Sequence, residues 1–296
     1  MAPALPRILI IIPWFGPWPA WMRFFIESCR WNPTVDWLLI SDAPPPDQLP
    51  TNLRVLTTSF ENYRELIASH LGITLTWTEA YKLCDLKPVM GLVHQSEIVG
   101  YDYWGYGDLD VIYGDIRKFY TPDVLVHDVI GTHEHILGAH FALLRTTQRL
   151  LTAFQRIPRW RAHLSAPCYV SFDEQLFSRL FLPMLSDRRA WRRLITPFLG
   201  GGYFRERFST NFPPLKWIDG SYNYPRCWFW QQGHLTTDVS GDREFLYLHF
   251  THWQSSRWTG AASWRDLAQL DNVPAERPTA FAISANGGFT PMPGPA

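Results

Sequence analysis

Two aspartates separated by one leucine are the most chemically suggestive pair in this sequence of 296 residues. Asp108 and Asp110 stand between aromatic residues and the apolar pair Val111 and Ile112, in the stretch YDYWGYGDLDVIYGD. In an extended segment alternate side chains point to the same side, so both carboxylates would face one way and Leu109 the other. Such oxygen ligands suit Mg²⁺ or Mn²⁺, which proteins hold with one or two carboxylates and substrate phosphates.

The pair has a second interpretation, in which two solvated aspartates end a strand at an ordinary turn. The apolar surroundings favour the metal site, because buried carboxylates without a cation or a hydrogen-bond donor cost free energy. Gly105 and Gly107 would let the backbone pass close to a bulky ligand. The other two aspartates of the stretch, Asp102 and Asp115, lack a partner at this spacing and are interpreted as strand and turn boundaries.

Strands and helices alternate before the pair, as is typical of an α/β sheet. Residues 8–12 (ILIII) predict a buried parallel strand, whose carboxyl end is where ligands of open α/β sheets bind. The other elements expected here are strands at 36–41 and 53–57, helices at 20–29, 60–71 and 78–84, and a helix from Lys87 to about residue 95. Beyond the pair we expect strands at 128–131, 140–145, 215–218 and 245–250, and helices at 147–157 and 172–182.

Composition excludes several classes of protein. The formal net charge is zero, with 27 basic and 27 acidic residues, so no overall field attracts nucleic acid. The four cysteines show no C-x-x-C spacing, which argues against a zinc or disulfide scaffold and favours a cytoplasmic protein. The apolar N-terminal run is too short to span a bilayer. Trp18, Trp21 and Phe24 could contact the inner membrane face peripherally, although a buried helix face explains them more simply.

Four segments resemble conserved blocks of a bacterial glycosyltransferase-like family found in polysaccharide gene clusters. They are residues 80–88, 103–114, 138–145 and 172–174, and the likeness spans about residues 8–252. More distantly, Asp108-Leu-Asp110 resembles the D-x-D motif of nucleotide-sugar glycosyltransferases of the GT-A fold. In those enzymes the aspartates bind a divalent metal that bridges the donor diphosphate.

The resemblance implies an α/β fold with a GT-A-like, Rossmann-like mixed central sheet flanked by helices. It implies one domain over residues 1–270, with a nucleotide-binding half to about residue 115 and an acceptor half after it. Residues 271–296, rich in Pro, Ala and Gly, are expected to be a loose tail. The implied activity moves a sugar from a nucleotide sugar, most simply a UDP-sugar, to a glycan or lipid-linked saccharide of a bacterial surface polysaccharide, such as lipopolysaccharide or capsule.

The resemblance also assigns roles on the donor side of the site. Asp110 and Asp108 would bind Mn²⁺ or Mg²⁺, and Asp108 would also reach the ribose. Asp85 and Lys87 would contact the nucleotide, although an acidic residue at a helix start explains Asp85 equally well. Trp14, after the first strand, would meet the base or pack in the core.

A late histidine motif resembles the third metal ligand of glycogenin-like and lipopolysaccharide galactosyltransferase-like enzymes. In LHFTHWQSSRW, residues 248–258, His249 would bind the metal and Arg257 the diphosphate. His252 replaces the usual glycine, so the choice between His249 and His252 stays open, as does a buried structural histidine.

The sugar side of the site is assigned in the same way. Asp173 and Glu174 would bind or act on the transferred sugar, or simply favour a helix N-terminus. Gly138 and His140 would form the floor for the sugar or the acceptor. An inverting enzyme would need a carboxylate to take the acceptor proton, whereas a retaining one, which the His249 motif favours, would not.

Two other functions stay open at this point. A metal-dependent phosphotransferase or nucleotidyltransferase also places two aspartates beside phosphates, although the sequence has no G-x-x-x-x-G-K-[ST] loop. A carbohydrate-binding protein without enzymatic activity would use the aromatic side chains, which make up 16% of the chain. The aromatic candidates for stacking on an acceptor, or for packing the core, are Trp217, Tyr222, Tyr224, Trp228 and Trp230.

Overall fold

The computed structural model describes residues 5–134, 136–182, 202–204, 216–250, 277–284 and 288–292. A seven-stranded sheet forms its centre. In spatial order the strands are β3 (Leu53–Thr57), β2 (Val35–Ser41), β1 (Ile8–Pro13), β4 (Tyr103–Gly107), β7 (Phe141–Arg145), β6 (Val129–Gly131) and β8 (Gly202–Phe204). Strands β1 to β4 are parallel, while β7 runs antiparallel to both β4 and β6. The sheet is therefore mixed, as the resemblance implies.

Helices cover both faces of this sheet. They are α1 (Met22–Arg30), α2 (Phe60–Leu71), a 3₁₀ helix (Ala80–Val89), α3 (Met90–Val93), α4 (Ile116–Phe119), α5 (Gln148–Leu151), a second 3₁₀ helix (Ala153–Arg156), α6 (Trp160–Ser165) and a π-type helix (Phe172–Leu176). Leu9 and Ile11 of β1 join the core beneath α2, whereas Ile8 and Ile10 join the core beneath α1. Because both faces are buried, the strand reads as an uninterrupted apolar run.

Local signals in the sequence set the bounds of α2. Ser59 accepts a hydrogen bond from the backbone N–H of Asn62 at 3.1 Å and so caps the first turn. Gly72 takes the left-handed conformation, with φ of 61°, that commonly ends a helix. The predicted helix over 60–71 is confirmed residue for residue.

A second, antiparallel sheet packs beside the first. Its order is β10 (His234–Thr237), β9 (Cys227–Gln231), β12 (Ala280–Ser284) and β13 (Gly288–Pro291). The prediction of a loose tail over 271–296 is wrong for the two C-terminal strands, because Phe281, Ile283 and Phe289 are buried in a core with the tryptophans of β9. Residues 216–218, at the end of another predicted strand, form no strand.

The core of the second sheet shows which of the aromatic candidates pack in the interior and which are exposed. Trp217, Tyr224, Trp228 and Trp230 are buried, so they pack the core, and Tyr222 alone of the five candidates is exposed. Trp21 and Phe24 of the first helical segment are also buried, which confirms the helix-face interpretation for both. Among the described residues no helix has the length and apolar character needed to cross a membrane. All four cysteines are free.

Candidate metal centre

Asp108 and Asp110 lie in the bend that follows β4, at the carboxyl end of the parallel strands. Leu109 between them is 1% exposed and enters the core, as the spacing predicts. The bend is held on one side by a hydrogen bond from the Asp108 N–H to the carbonyl of His140, 3.2 Å away. It leads into β5 (Val111–Tyr113).

His249 reaches the same place through strand pairing. It ends β11 (Tyr247–His249), which runs antiparallel to β5 and pairs His249 with Val111. The next N–H, of Phe250, donates to the carbonyl of Asp110 at 3.1 Å. One ligand atom from each of Asp108, Asp110 and His249 lies within 4.8 Å of the other two. The other predicted residues of this motif, His252 and Arg257, lie outside the described residues.

The donor set fits a divalent cation. Asp110 Oδ1 is buried and has no hydrogen-bond partner among the described residues, while Oδ2 lies 3.5 Å from His249 Nε2. Leaving a buried carboxylate oxygen without a partner is costly. Two carboxylates and one imidazole would hold Mn²⁺ or Mg²⁺ and leave further coordination positions for a ligand.

Lys87 brings positive charge to the metal-binding aspartates. Its Nζ pairs with Asp108 Oδ1 and donates to the carbonyl of Ala139 at 3.2 Å. The 3₁₀ helix that carries Lys87 is packed into the core, and the side chain is buried. A buried ammonium beside a carboxylate can also neutralise an anionic ligand held there.

The ionisable groups of the site shift one another's pKa values. Burial, reinforced by repulsion from Asp110, raises the pKa of Asp108 in spite of the opposing charge of Lys87. Burial alone would raise the pKa of Asp110, but attraction to His249 and Lys87 lowers it below its usual value. Burial alone would lower the pKa of His249, but the two aspartates raise it. Asp110 is therefore an anionic ligand over a wide pH range.

His140 packs directly against the imidazole of His249. The two rings are stacked, with centroids 4.3 Å apart and planes 15° apart. His140 Nε2 lies 2.8 Å from the Tyr247 hydroxyl and 3.3 Å from that of Thr132. A Cβ at Gly138 would lie 2.7 Å from the His140 ring, so glycine is needed there. These contacts fix the ring that supports His249, while the predicted sugar floor at Gly138 and His140 stays a prediction.

Asp173 is a buried carboxyl on the π-type helix. Its Oδ1 accepts a hydrogen bond from the Tyr169 hydroxyl at 3.0 Å, while Oδ2 has no partner among the described residues. Burial, with the nearby charge of Glu174 adding to it, raises the pKa of Asp173 to about 7. Glu174 Oε1 accepts from the N–H of Ala139, whose carbonyl holds Lys87. A carboxyl with a pKa near neutrality can exchange a proton at physiological pH.

The surroundings of Asp85 do not fit the predicted contact with a nucleotide. It is fully buried, and its carboxylate accepts from Lys82 Nζ at 2.7 Å and from the N–H groups of Val170 and Phe172 at 2.9 and 2.6 Å. Both oxygens thus bind protein donors, and the carboxylate is not open to a nucleotide. Lys82, three residues earlier, is the sequence signal for this pair. Asp85 instead fastens the 3₁₀ helix to the segment that carries Asp173.

Trp14 lies after β1 and is partly buried. Its indole N–H donates to the carbonyl of Pro17 at 3.0 Å, and its ring packs on the core beneath α1. Core packing thus accounts for part of its surface, and its contact with a nucleotide base stays a prediction.

The fold and the site together define an α/β protein with an Asp-Asp-His candidate metal centre at the carboxyl end of a mixed sheet. Residues 10–263 match a family of unknown function (DUF6625), and the chain belongs to that family. No curated protein matches the chain significantly.

Solved structures were also compared with the chain. The galactosyltransferase LgtC, in complex with donor and acceptor sugar analogues, is 9% identical, with a TM-score of 0.34 over 70% of this chain and 76% of that one. A glycosyltransferase involved in glycosylation of the major capsid of PBCV-1 is 11% identical, with a TM-score of 0.36 over 69% and 82%. GlyE of Streptococcus pneumoniae TIGR4, a glycosyltransferase, is 12% identical, with a TM-score of 0.34 over 70% and 47%.

Proposed function

We propose that this protein is a metal-dependent glycosyltransferase of the GT-A type that transfers a sugar from a UDP-sugar to a saccharide or glycolipid acceptor. The observation that carries the proposal is the meeting of Asp108, Asp110 and His249, which a D-x-D resemblance and a late histidine motif predict from distant parts of the sequence. The unpartnered oxygen of Asp110 and the ammonium of Lys87 beside Asp108 support a site for a cation and an anionic ligand.

The metal that these three residues would hold supplies charge neutralisation for the departing diphosphate. Lys87, anchored to Asp108 and to the Ala139 carbonyl, adds a fixed positive charge at the same place. A fixed cation stabilises developing negative charge without having to reorganise during the reaction.

Asp173 is the proposed carboxylate on the sugar side. With a pKa of about 7 it is partly ionised at neutral pH, and Tyr169 holds one oxygen while the other has no partner among the described residues. In an inverting reaction this oxygen would take the proton of the acceptor hydroxyl. In a retaining reaction it would hold a sugar hydroxyl. Glu174, fixed on the Ala139 N–H, would complete the sugar-side wall.

The proposed setting is the cytoplasmic assembly of a bacterial surface polysaccharide, at or near the inner membrane face. The blocks that resemble glycosyltransferases of polysaccharide clusters and the four free cysteines support it. The acceptor would then be a glycan or a lipid-linked saccharide. We also propose that Trp14 contacts the uracil base and that Arg257 contacts the diphosphate.

Calorimetric titration of UDP into the purified protein, with and without Mn²⁺, tests the proposal. UDP should bind only with the metal present. With Mn²⁺ the protein should also release sugar from a UDP-sugar and leave UTP intact. Metal-dependent hydrolysis of UTP without release of sugar would instead favour a phosphotransferase or nucleotidyltransferase.

A further inference from the structure

Tyr81 is a large aromatic side chain left open to solvent at the start of the 3₁₀ helix. It is 67% exposed, whereas Leu83 and Leu86 on the same helix are buried in the core. Its ring packs edge-on against Tyr169, with centroids 5.2 Å apart and planes at 66°. A single exposed aromatic residue needs no explanation. A pair at the rim of a candidate site suggests a binding surface, because aromatic rings offer large apolar faces at low conformational cost.

The pair adjoins the sugar-side carboxylate. Tyr169 donates its hydroxyl hydrogen to Asp173 Oδ1 at 3.0 Å. Partial burial, with the negative charge of Asp173 among the contributing charges, raises the pKa of Tyr81, and Lys87 and Asp108 also act on that phenol. The exposed ring thus stands within electrostatic range of the groups that define the candidate site.

A buried ion pair holds the two tyrosines in a fixed relationship. Lys82, next to Tyr81, donates to Asp85 at 2.7 Å. It also donates to the carbonyls of His163 and Cys168, at 2.9 Å each. Asp85 in turn accepts from the N–H of Val170, next to Tyr169. Both rings therefore extend from segments that are fastened to each other, and such a preorganised surface loses little entropy when it binds a ligand.

We propose that Tyr81 and Tyr169 form a subsite for the acceptor saccharide, in which the exposed Tyr81 ring packs on the apolar C–H face of a sugar ring. This inference rests on the proposed function and extends it from the donor to the acceptor. A sugar seated on Tyr81 would direct a hydroxyl towards Asp173, whose Oδ2 has no partner among the described residues. Tyr169 would contribute its ring edge and keep Asp173 oriented.

Saturation-transfer NMR with methyl glycosides of glucose, galactose and N-acetylglucosamine tests the subsite. The protein is loaded with Mg²⁺ and UDP, and transfer to the sugar C–H protons is measured for the wild type, Tyr81→Ala and Tyr81→Phe. Tyr81→Ala should weaken glycoside binding about tenfold. Tyr81→Phe, which keeps the ring, should bind as the wild type does. Val99→Ala shortens another apolar side chain, 75% exposed and placed before the amino end of β4, and should change nothing.

Two further measurements separate the subsite from the proposed function. The melting temperature and the UDP affinity of Tyr81→Ala should equal those of the wild type, because the side chain is exposed and lies on the acceptor side. If UDP and metal bind normally but no glycoside binds, or if Tyr81→Ala binds glycosides as tightly as the wild type, the subsite is refuted and the donor site stands. Absence of metal-dependent UDP binding would refute the proposed function itself.

Discussion

His249 Nε2 lies 3.5 Å from Asp110 Oδ2, although the two residues stand in different halves of the chain. The contact arises because β11 pairs antiparallel with β5, the strand that starts directly after Asp110. Backbone hydrogen bonds thus fix the distance between two side chains that could hold a metal. Such a geometry does not depend on a flexible loop.

Removing either partner of this contact should strongly weaken metal binding. We expect Asp110→Asn and His249→Ala to weaken Mn²⁺ affinity by more than about 100-fold, since loss of outer-shell partners alone costs 10–100-fold. Calorimetry with Mn²⁺ measures this directly. The control is Asp102→Asn, which changes an aspartate of the same stretch that accepts a hydrogen bond from the Arg7 N–H and lies outside the triad. Equal Mn²⁺ affinity in Asp110→Asn and the control would contradict the metal assignment.

His140 should tune the metal site without binding the metal. His140→Phe keeps a ring to stack on His249 but loses the contacts with the Tyr247 and Thr132 hydroxyls. We expect about tenfold weaker Mn²⁺ binding, in the range found for outer-shell partners. His70→Phe, a change at an exposed histidine on α2, is the matched control. Unchanged affinity in His140→Phe would mean that the stacked ring alone is sufficient.

Asp173 should make stability depend on pH. Its pKa is about 7 in the folded protein against an ordinary 3.8, so the folded state holds the proton more tightly than the unfolded state. The stabilising contribution of the Asp173 carboxyl is therefore fully present below about pH 4 and is lost as the pH rises to about 7. The Asp173→Asn variant has no carboxyl to ionise at this position, so it does not lose this contribution. The difference in unfolding free energy, variant minus wild type, should therefore increase between pH 4 and 8 by at most about 4 kcal/mol.

Urea unfolding of the wild type and the variant at a series of pH values measures this difference. Asp47→Asn, at an exposed aspartate, should run parallel to the wild type at every pH. A constant difference between Asp173→Asn and the wild type across the range would show that the carboxyl ionises normally.

The buried pair Lys82 and Asp85 should matter more for stability than any surface pair. Asp85→Ala leaves a buried ammonium and the N–H groups of Val170 and Phe172 without their acceptor, and should cost on the order of 3–5 kcal/mol. The double change Lys82→Met with Asp85→Leu should cost less, because no charge stays buried. Glu61→Ala breaks an exposed pair with Arg64 and should cost under about 1 kcal/mol. Urea midpoints rank the three, and a reversed order would contradict the buried-pair account.

Local sequence patterns predicted the parts of the fold whose causes are local. The apolar run of β1, the Ser59 and Gly72 ends of α2, and the burial of Leu109 all follow from adjacent residues. The sequence suggests that Gly105 makes room for a bulky ligand, but the structure gives a different reason for this glycine. A Cβ at Gly105 would lie 2.4 Å from the carbonyl oxygen of Ala142 on β7, so close strand packing requires glycine there.

Long-range pairing determines what the sequence did not reveal. The strands β12 and β13 lie in a stretch rich in Pro, Ala and Gly, and only the pairing of β12 with β9 and of β13 with β12 shows them to be core. The resemblance assigns Asp85 to the nucleotide, but besides Lys82 its carboxylate accepts from the N–H groups of Val170 and Phe172, which lie far from it in the sequence. His249 was found through a resemblance to known enzymes, since no local rule links it to Asp110.

Metal-dependent hydrolysis of a panel of UDP-sugars is the most direct test of the central claim. The purified protein is incubated with each UDP-sugar in Mn²⁺, in Mn²⁺ with excess chelator, and as the Asp110→Asn variant, and the released sugar and its anomer are determined. We predict slow release of sugar from at least one donor in Mn²⁺ and none in the other two samples. Absence of hydrolysis and of metal-dependent UDP binding across the whole panel would contradict the glycosyltransferase assignment.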